Sequence, residues 1–473
     1  MCASWIPSPL CSLVAAVALV AALGCSEDEE GPSGTATGTA GSTGAGGSGG
    51  TAGSGGTGAT GGGGGDSAKA VREQIIDELL GQELNFGVSA PPEWMNETRD
   101  DHGTRWKWRA QYFSGGSNHP DSSTNRGWHD VFLRPYNEWE NPDQIPGMWG
   151  RKWIEATIAA GYMPWITTYN IGQSHPANYQ PNAPEAVATN IVLADTMLAY
   201  FEQFKLLMEI CAEYPEQPMV VHVEPDELGH MLLTVDGDTL DPEAVFVQVG
   251  GTGMAELADL PDNVVGYAQA MKRLRDLYAP YNVLLTVSPS PWSWQYRLSA
   301  DNWQAMFMQS GILEWDLAVC ETGSADLGWS GEDPPYGDDT GMAGGIDNVF
   351  TWAGDLSSQS GLPFILWQVP IGNTYFRTCD NTPGHYTHNT AQLLLEGYPS
   401  NTRLQGFADG GGIGVIFSPG QGTSTRVHDA MEDGITNPAA IPGNEGNTSE
   451  YADDDGGYVR LRVESYFQNP IAL

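Results

Sequence analysis

The chain has 473 residues with 59 acidic against 20 basic side chains, a formal net charge of −39. So negative a surface repels phosphate backbones and anionic lipid headgroups, and no Lys/Arg cluster interrupts it, which excludes nucleic acid as a partner. The six cysteines, three of them before residue 26, are too few and too scattered for a disulfide framework or a cysteine-rich metal site.

Residues 1–24 read as a lipoprotein-type signal peptide. Residues 10–23 are an apolar run of h-region length, short for a membrane span. The run ends in Ala22-Leu23-Gly24-Cys25, which resembles a bacterial lipoprotein box. The resemblance implies lipidation at Cys25, and hence a protein exported to the bacterial cell surface or outer membrane that meets the membrane only through that anchor.

Residues 25–66 read as a tether, because positions 31–65 hold 18 glycines and the rest are almost all Ser, Thr and Ala. The first 66 residues contain five of the acids and none of the bases, so 54 acids and all 20 bases belong to residues 67–473. The acidity is therefore a property of the folding part, where it favours solubility and biases the choice of ligand toward neutral molecules.

Residues 67–473 read as a single domain, with no second linker and no repeat. A helix is predicted over 67–80, its apolar positions Val71, Ile75, Ile76, Leu79 and Leu80 closed by Gly81. Strands follow at 84–88, 108–113, 163–169, 219–224, 283–288, 315–320, 364–369 and 413–417. Helices such as 153–160, 188–211, 263–278 and 391–395 lie between them. Eight strand–helix units predict an α/β fold of the (β/α)8 TIM-barrel type, acting as a monomer. An open dinucleotide-binding sheet is disfavoured, because no Gly-x-Gly-x-x-Gly follows the first strand. No motif for a cofactor, a phosphate loop or a nucleophilic serine is present.

In such a barrel the chemistry sits at the C-terminal strand ends. On the fourth strand, alternation places Val221 and Val223 on one face and His222 and Glu224 on the other, the lumen face, with Asp226 two residues further on. An ion pair between Glu224 and Arg109 is the structural alternative. The sixth strand carries Leu317, Val319 and Glu321 on one face, with Asp326 and Trp329 in the following loop. Two carboxyl groups facing each other across a sugar are what glycoside hydrolysis requires. Glu224 is expected as general acid/base, Glu321 as nucleophile or second base, and Asp226 as a neighbour that tunes Glu224.

Around this pair, Trp128, Trp292, Trp294, Trp329 and Tyr375 fall in strand-end loops as stacking surfaces for sugar rings. His222, Asn170, Gln173, Gln368, Asn373, Asn381 and His385 supply polar contacts to hydroxyls.

The run Val223-Glu224-Pro225-Asp226-Glu227-Leu228 resembles the Glu-Pro-Asp strand end of family 6 glycoside hydrolases, cellulases that act on β-1,4-glucan. Together with 366–373 and 381–386, it resembles secreted bacterial barrel proteins of the glycoside-hydrolase type over most of residues 83–425. The resemblance implies cleavage of a neutral polysaccharide, a β-glucan or related glycan. Two alternatives remain open. One is a surface lipoprotein that binds glycans without chemistry. The other is a metal-dependent barrel hydrolase using His222, Glu224, Asp226 and His230.

Overall fold

A computed structural model describes residues 64–118, 127–130, 143, 145–233, 241–289, 299–321, 345–371, 390–418 and 458–473. The predicted signal segment and nearly all of the tether lie outside these residues. Eight parallel strands close into a barrel in sequence order. They are β1 (Asn85–Val88), β2 (Trp106–Ser114), β3 (Met163–Tyr169), β4 (Met219–Val223), β5 (Val283–Val287), β6 (Leu317–Glu321), β7 (Phe364–Pro370) and β8 (Gly412–Ser418). β8 returns to pair with β1, so no strand edge is left open.

The helices, in chain order, are α1 (Gly64–Leu80), α2 (Pro92–His102), α3 (Met148–Ala159), α4 (Ala183–Asn190), α5 (Ala194–Ala212), α6 (Glu227–Leu233), α7 (Val264–Tyr278), α8 (Ala300–Ser310), α9 (Gly345–Ser360), α10 (Thr390–Leu395), α11 (Arg403–Asp409) and α12 (Tyr458–Gln468). The predicted helix over 188–211 is two helices. Leu193 has extended backbone, and the side chain of Asn190 donates to Ile171 O and Ser174 O, anchoring the end of α4 to the β3–α4 loop. Buried residues run on through the break, from Ala186, Val187 and Asn190 on α4 to Thr196, Met197 and Tyr200 on α5.

Side-chain alternation divides the core in two. Trp108, Ala110, Trp165, Val220, Leu284, Leu317, Val319, Ile365 and Trp367 fill the lumen. The intervening residues, among them Met219, Val221, Val223, Val283, Leu285, Val287 and Leu366, pack against the helices. Trp108 takes so much of the lumen that Gly87 has no room for a side chain: a Cβ there would lie 2.8 Å from the Trp108 Cβ.

α1 closes the N-terminal end of the barrel, Leu79 joining the lumen cluster and Ile75, Ile76 and Leu80 packing on it. A buried charge triad fixes this plug. Arg72 Nε donates to Asp316 Oδ1 at 3.0 Å, and Arg275 Nη1 to Asp316 Oδ2 at 2.5 Å. Asp316 Oδ2 also accepts the Leu285 amide at 2.9 Å. The C-terminal strand ends lie at the opposite end of the barrel.

Candidate active site

The described part of the mouth is built by the ends of β2, β3, β4 and β7. β4 stops at Val223, and the next residues leave the strand through left-handed backbone, φ being 43° at Glu224 and 71° at Asp226. This corrects the expected orientation of Glu224. Instead of continuing the alternation into the lumen, its side chain turns back to the β3–α4 loop, where its oxygens accept the Asn170 amide at 3.0 and 2.9 Å and the Ile171 amide at 3.3 Å. Glu224 is 2% exposed. Burial pushes its pKa up to about 7 against the opposing pull of those amides.

Arg109, the expected alternative partner, lies on the helix side of β2. Its guanidinium donates to Ala90 O and Thr157 Oγ1 and lies 4.8 Å from the Trp153 ring centroid.

Asp226 is the carboxyl of this turn that keeps solvent access, half-buried between buried neighbours. His230 packs one helical turn on, its amide donating to Asp226 O at 2.8 Å. The side chain of Glu227, which the motif reading leaves without a role, is fully buried, and neither carboxyl oxygen has a hydrogen-bond partner among the described residues. Its pKa is pushed well above the usual carboxylate range, first by burial and then by the charges of Glu224 and Asp226.

The loop over this turn is held by its own network. Asn170 Nδ2 donates to Gly115 O, Ser174 Oγ to Asn170 O, and the Tyr179 amide to Gly172 O. Tyr179 lies so close that a Cβ on Gly172 would sit 2.7 Å from its ring. Tyr169 and Tyr179 stand 5.8 Å apart between ring centroids, and burial raises the pKa of both phenols well above the ordinary value.

His222 does face the lumen as expected, edge-to-face with Trp367 at 4.7 Å and with Trp165 at 5.8 Å. It is fully buried, and burial lowers its pKa to about 3, so the imidazole is neutral. Tyr112 bridges the rim, 6.1 Å from Tyr169 and 5.7 Å from Trp367, and accepts a 3.3 Å hydrogen bond from Gln368 Nε2. Glu321 ends β6 in register with Trp367.

Two other predicted contacts prove to be parts of the frame. Trp128 is 3% exposed and packs on Phe113 at 5.0 Å in the helix-side core, so it offers no face to a ligand. Asn170 is 2% exposed, and its side chain is spent on Gly115 O. Trp292, Trp294, Asp326, Trp329, Asn373, Tyr375, Asn381 and His385 lie outside the described residues. Tyr112, Tyr169, Trp367 and Glu227 are site residues that the strand-end reading passed over. The first three share the lumen-facing alternation of Trp108, Trp165 and Ile365 on their strands, the signal by which they could have been found.

His222 faces the lumen and Glu224 the loop amides, so these two side chains do not converge. Among the described residues no three His, Cys, Asp or Glu side chains are placed to share a metal ion. A groove of about 1230 Å3 in the outer layer, lined by Asp347, Gly354, Gln392, Asn401 and Arg403, contains none of the predicted site residues.

No family model matches the chain, and no curated protein does. Solved structures similar to it include a family 26 β-mannanase from Bacteroides ovatus, 11% identical over 83% of this chain and 92% of that one, with a TM-score of 0.44. A modular endo-β-1,4-mannanase from Cellulomonas fimi is 9% identical over 84% and 74%, with a TM-score of 0.45. A cellobiohydrolase from Humicola insolens is 16% identical over 48% and 59%, with a TM-score of 0.30. A functional reading therefore has to stand on this chain's own residues.

Proposed function

We propose that the chain is a glycoside hydrolase that cleaves a neutral polysaccharide at the C-terminal mouth of its barrel. Asp226 protonates the departing glycosidic oxygen, and Glu321, at the end of β6, is the second carboxyl, acting on the anomeric carbon or on water. The observation that carries this reading is the turn after Val223. It buries Glu224 and Glu227 and leaves Asp226 half-buried, within electrostatic reach of Tyr169, whose ring is linked through Tyr112 to Trp367. Flat apolar faces beside a carboxyl suit a pyranose ring, and a strongly acidic surface suits an uncharged substrate. The roles of Glu224 and Asp226 are thus exchanged relative to the strand-alternation reading.

His222 stays neutral and serves as a dipole under the mouth, and Gln368 offers its amide at the rim. The domain works at the cell surface, carried on the tether of 25–66 from a lipidated Cys25. The test is single replacement, Asp226→Asn and Glu321→Gln, with release of reducing ends measured on a panel of β-glucans, β-mannans and β-galactans. Binding without release in the unaltered protein would instead identify a non-catalytic glycan receptor.

A further inference from the structure

Glu224 and Glu227 belong to one turn, the Glu227 amide donating to Glu224 O, and the charges of Glu224 and Asp226 both act on the Glu227 carboxyl. The proposed chemistry uses neither Glu224 nor Glu227. Both are almost wholly removed from water. The groups facing the pair are Tyr169 from β3, Tyr179 from the β3–α4 loop, Tyr200 from α5 and Tyr267 from α7, with Asp226 beside it and His230 next to Asp226. None of these is a cation at neutral pH, and no Lys or Arg pairs with either carboxyl among the described residues.

Two bare carboxylates in one dry pocket would each lack the hydration or counter-charge that offsets burial, so the pocket holds at most one negative charge. The hydrogen bonds decide which carboxyl carries it. Glu224 receives three amide contacts within 3.3 Å, and amide donors stabilise a carboxylate. Glu227 has only the backbone amide of Gly172 directed toward it, short of hydrogen-bond geometry, and that poorer environment suits the neutral acid.

We infer that Glu224 and Glu227 are a proton-sharing pair of positioning residues that clamps the β3–α4 loop onto the turn carrying Asp226. Glu227 stays protonated, and this lets Glu224 hold the amides of Asn170 and Ile171 as an anion without a second charge beside it. The clamp fails when alkali removes the last proton. In that state the two charges repel, and the loop segment from Asn170 to Tyr179 lifts from the turn. The effect on Asp226 rests on the function proposed above; the clamp itself does not.

Amide hydrogen exchange at Asn170 and Ile171, followed in the full chain from about pH 6 to about pH 9, tests the pair. In the wild type, protection of these two amides relative to the barrel strands should fall at least roughly tenfold as the second proton leaves, tenfold being the scale of one hydrogen bond. In Glu227→Gln, which is neutral throughout, that fall should be absent. The same fall in both proteins overturns the inference. Should Glu227→Gln not fold, infrared spectroscopy of the wild type decides the matter: a protonated carboxyl band persisting at about pH 8 supports the pair, and its absence overturns it. A negative glycan panel with the exchange pattern intact removes the role of Asp226 and leaves the clamp standing.

Discussion

The carboxylate of Glu224 accepts the backbone amide of Asn170 through both oxygens, at 3.0 and 2.9 Å, joining the end of β4 to the loop that leaves β3. A carboxyl so engaged is a structural tie, and in the function proposed above the half-buried Asp226 beside it takes the catalytic role. Replacing Glu224 with Ala removes the tie and leaves buried amides without a partner. An unfolding free energy lower by about 1–3 kcal/mol is expected, measured by denaturant titration.

The ionisable groups under the mouth give stability a pH dependence of two signs. Glu224, with a folded pKa of about 7, and Glu227, raised further, both lie above the unfolded value. Their contribution is fully present below about pH 4.3 and is lost as pH rises through the folded values. His222, lowered to about 3, behaves in the opposite way. Its contribution is present above about pH 6.5 and lost as pH falls from there toward the folded value. Thermal melts across pH should show His222→Gln flattening the acid side of the profile and Glu227→Gln the alkaline side. A wild-type profile in either variant contradicts the assignment.

At the closed end of the barrel, Asp316 joins Arg72 and Arg275 in the buried triad that seats α1. Asp316→Ala leaves two buried guanidinium groups without their carboxylate and should lower stability by about 3–5 kcal/mol. Because this triad lies at the end opposite the mouth, glycan binding by the folded fraction should be unchanged, as titration by intrinsic fluorescence would report.

Tyr112 lies at the strand end, whereas Trp128 is a residue of the helix-side core. Buried on Phe113, it belongs to packing, so Trp128→Ala should cost about 3–5 kcal/mol of stability. Tyr112→Ala, at the rim, should cost less stability and should weaken glycan affinity by roughly tenfold, the scale of one lost stacking contact. Affinity electrophoresis in polysaccharide gels distinguishes the two.

The barrel was legible because its strands are short β-branched and apolar runs with period-two alternation, and the structure places a strand at each of the eight predicted positions. The same rule misdirected Glu224. Alternation holds only while the backbone stays extended, and a positive φ at Glu224 just before Pro225 ends it one residue early. Glu227 escaped notice because a carboxyl after a strand end reads as a solvated loop residue. Its burial depends on Tyr169 and Tyr179, a long-range arrangement that no local pattern encodes. In the sequence Trp128 reads as a loop aromatic, since its contact with Phe113 is a tertiary one, made beside Trp149 of α3. The break between α4 and α5 was hidden for a related reason: both helices bury residues with one continuous spacing, while Asn190 is drawn off to the β3–α4 loop.

In the proposed function Asp226, not Glu224, supplies the proton for cleaving a neutral polysaccharide. The most direct measurement is reducing-end release by the wild type and by Asp226→Asn on the one glycan of the panel that the wild type degrades fastest. A loss of about 10²–10⁴-fold in kcat with the fold intact is the predicted result, the usual contribution of a general acid. Undiminished release by Asp226→Asn, or no release by the wild type from any glycan of the panel, contradicts it.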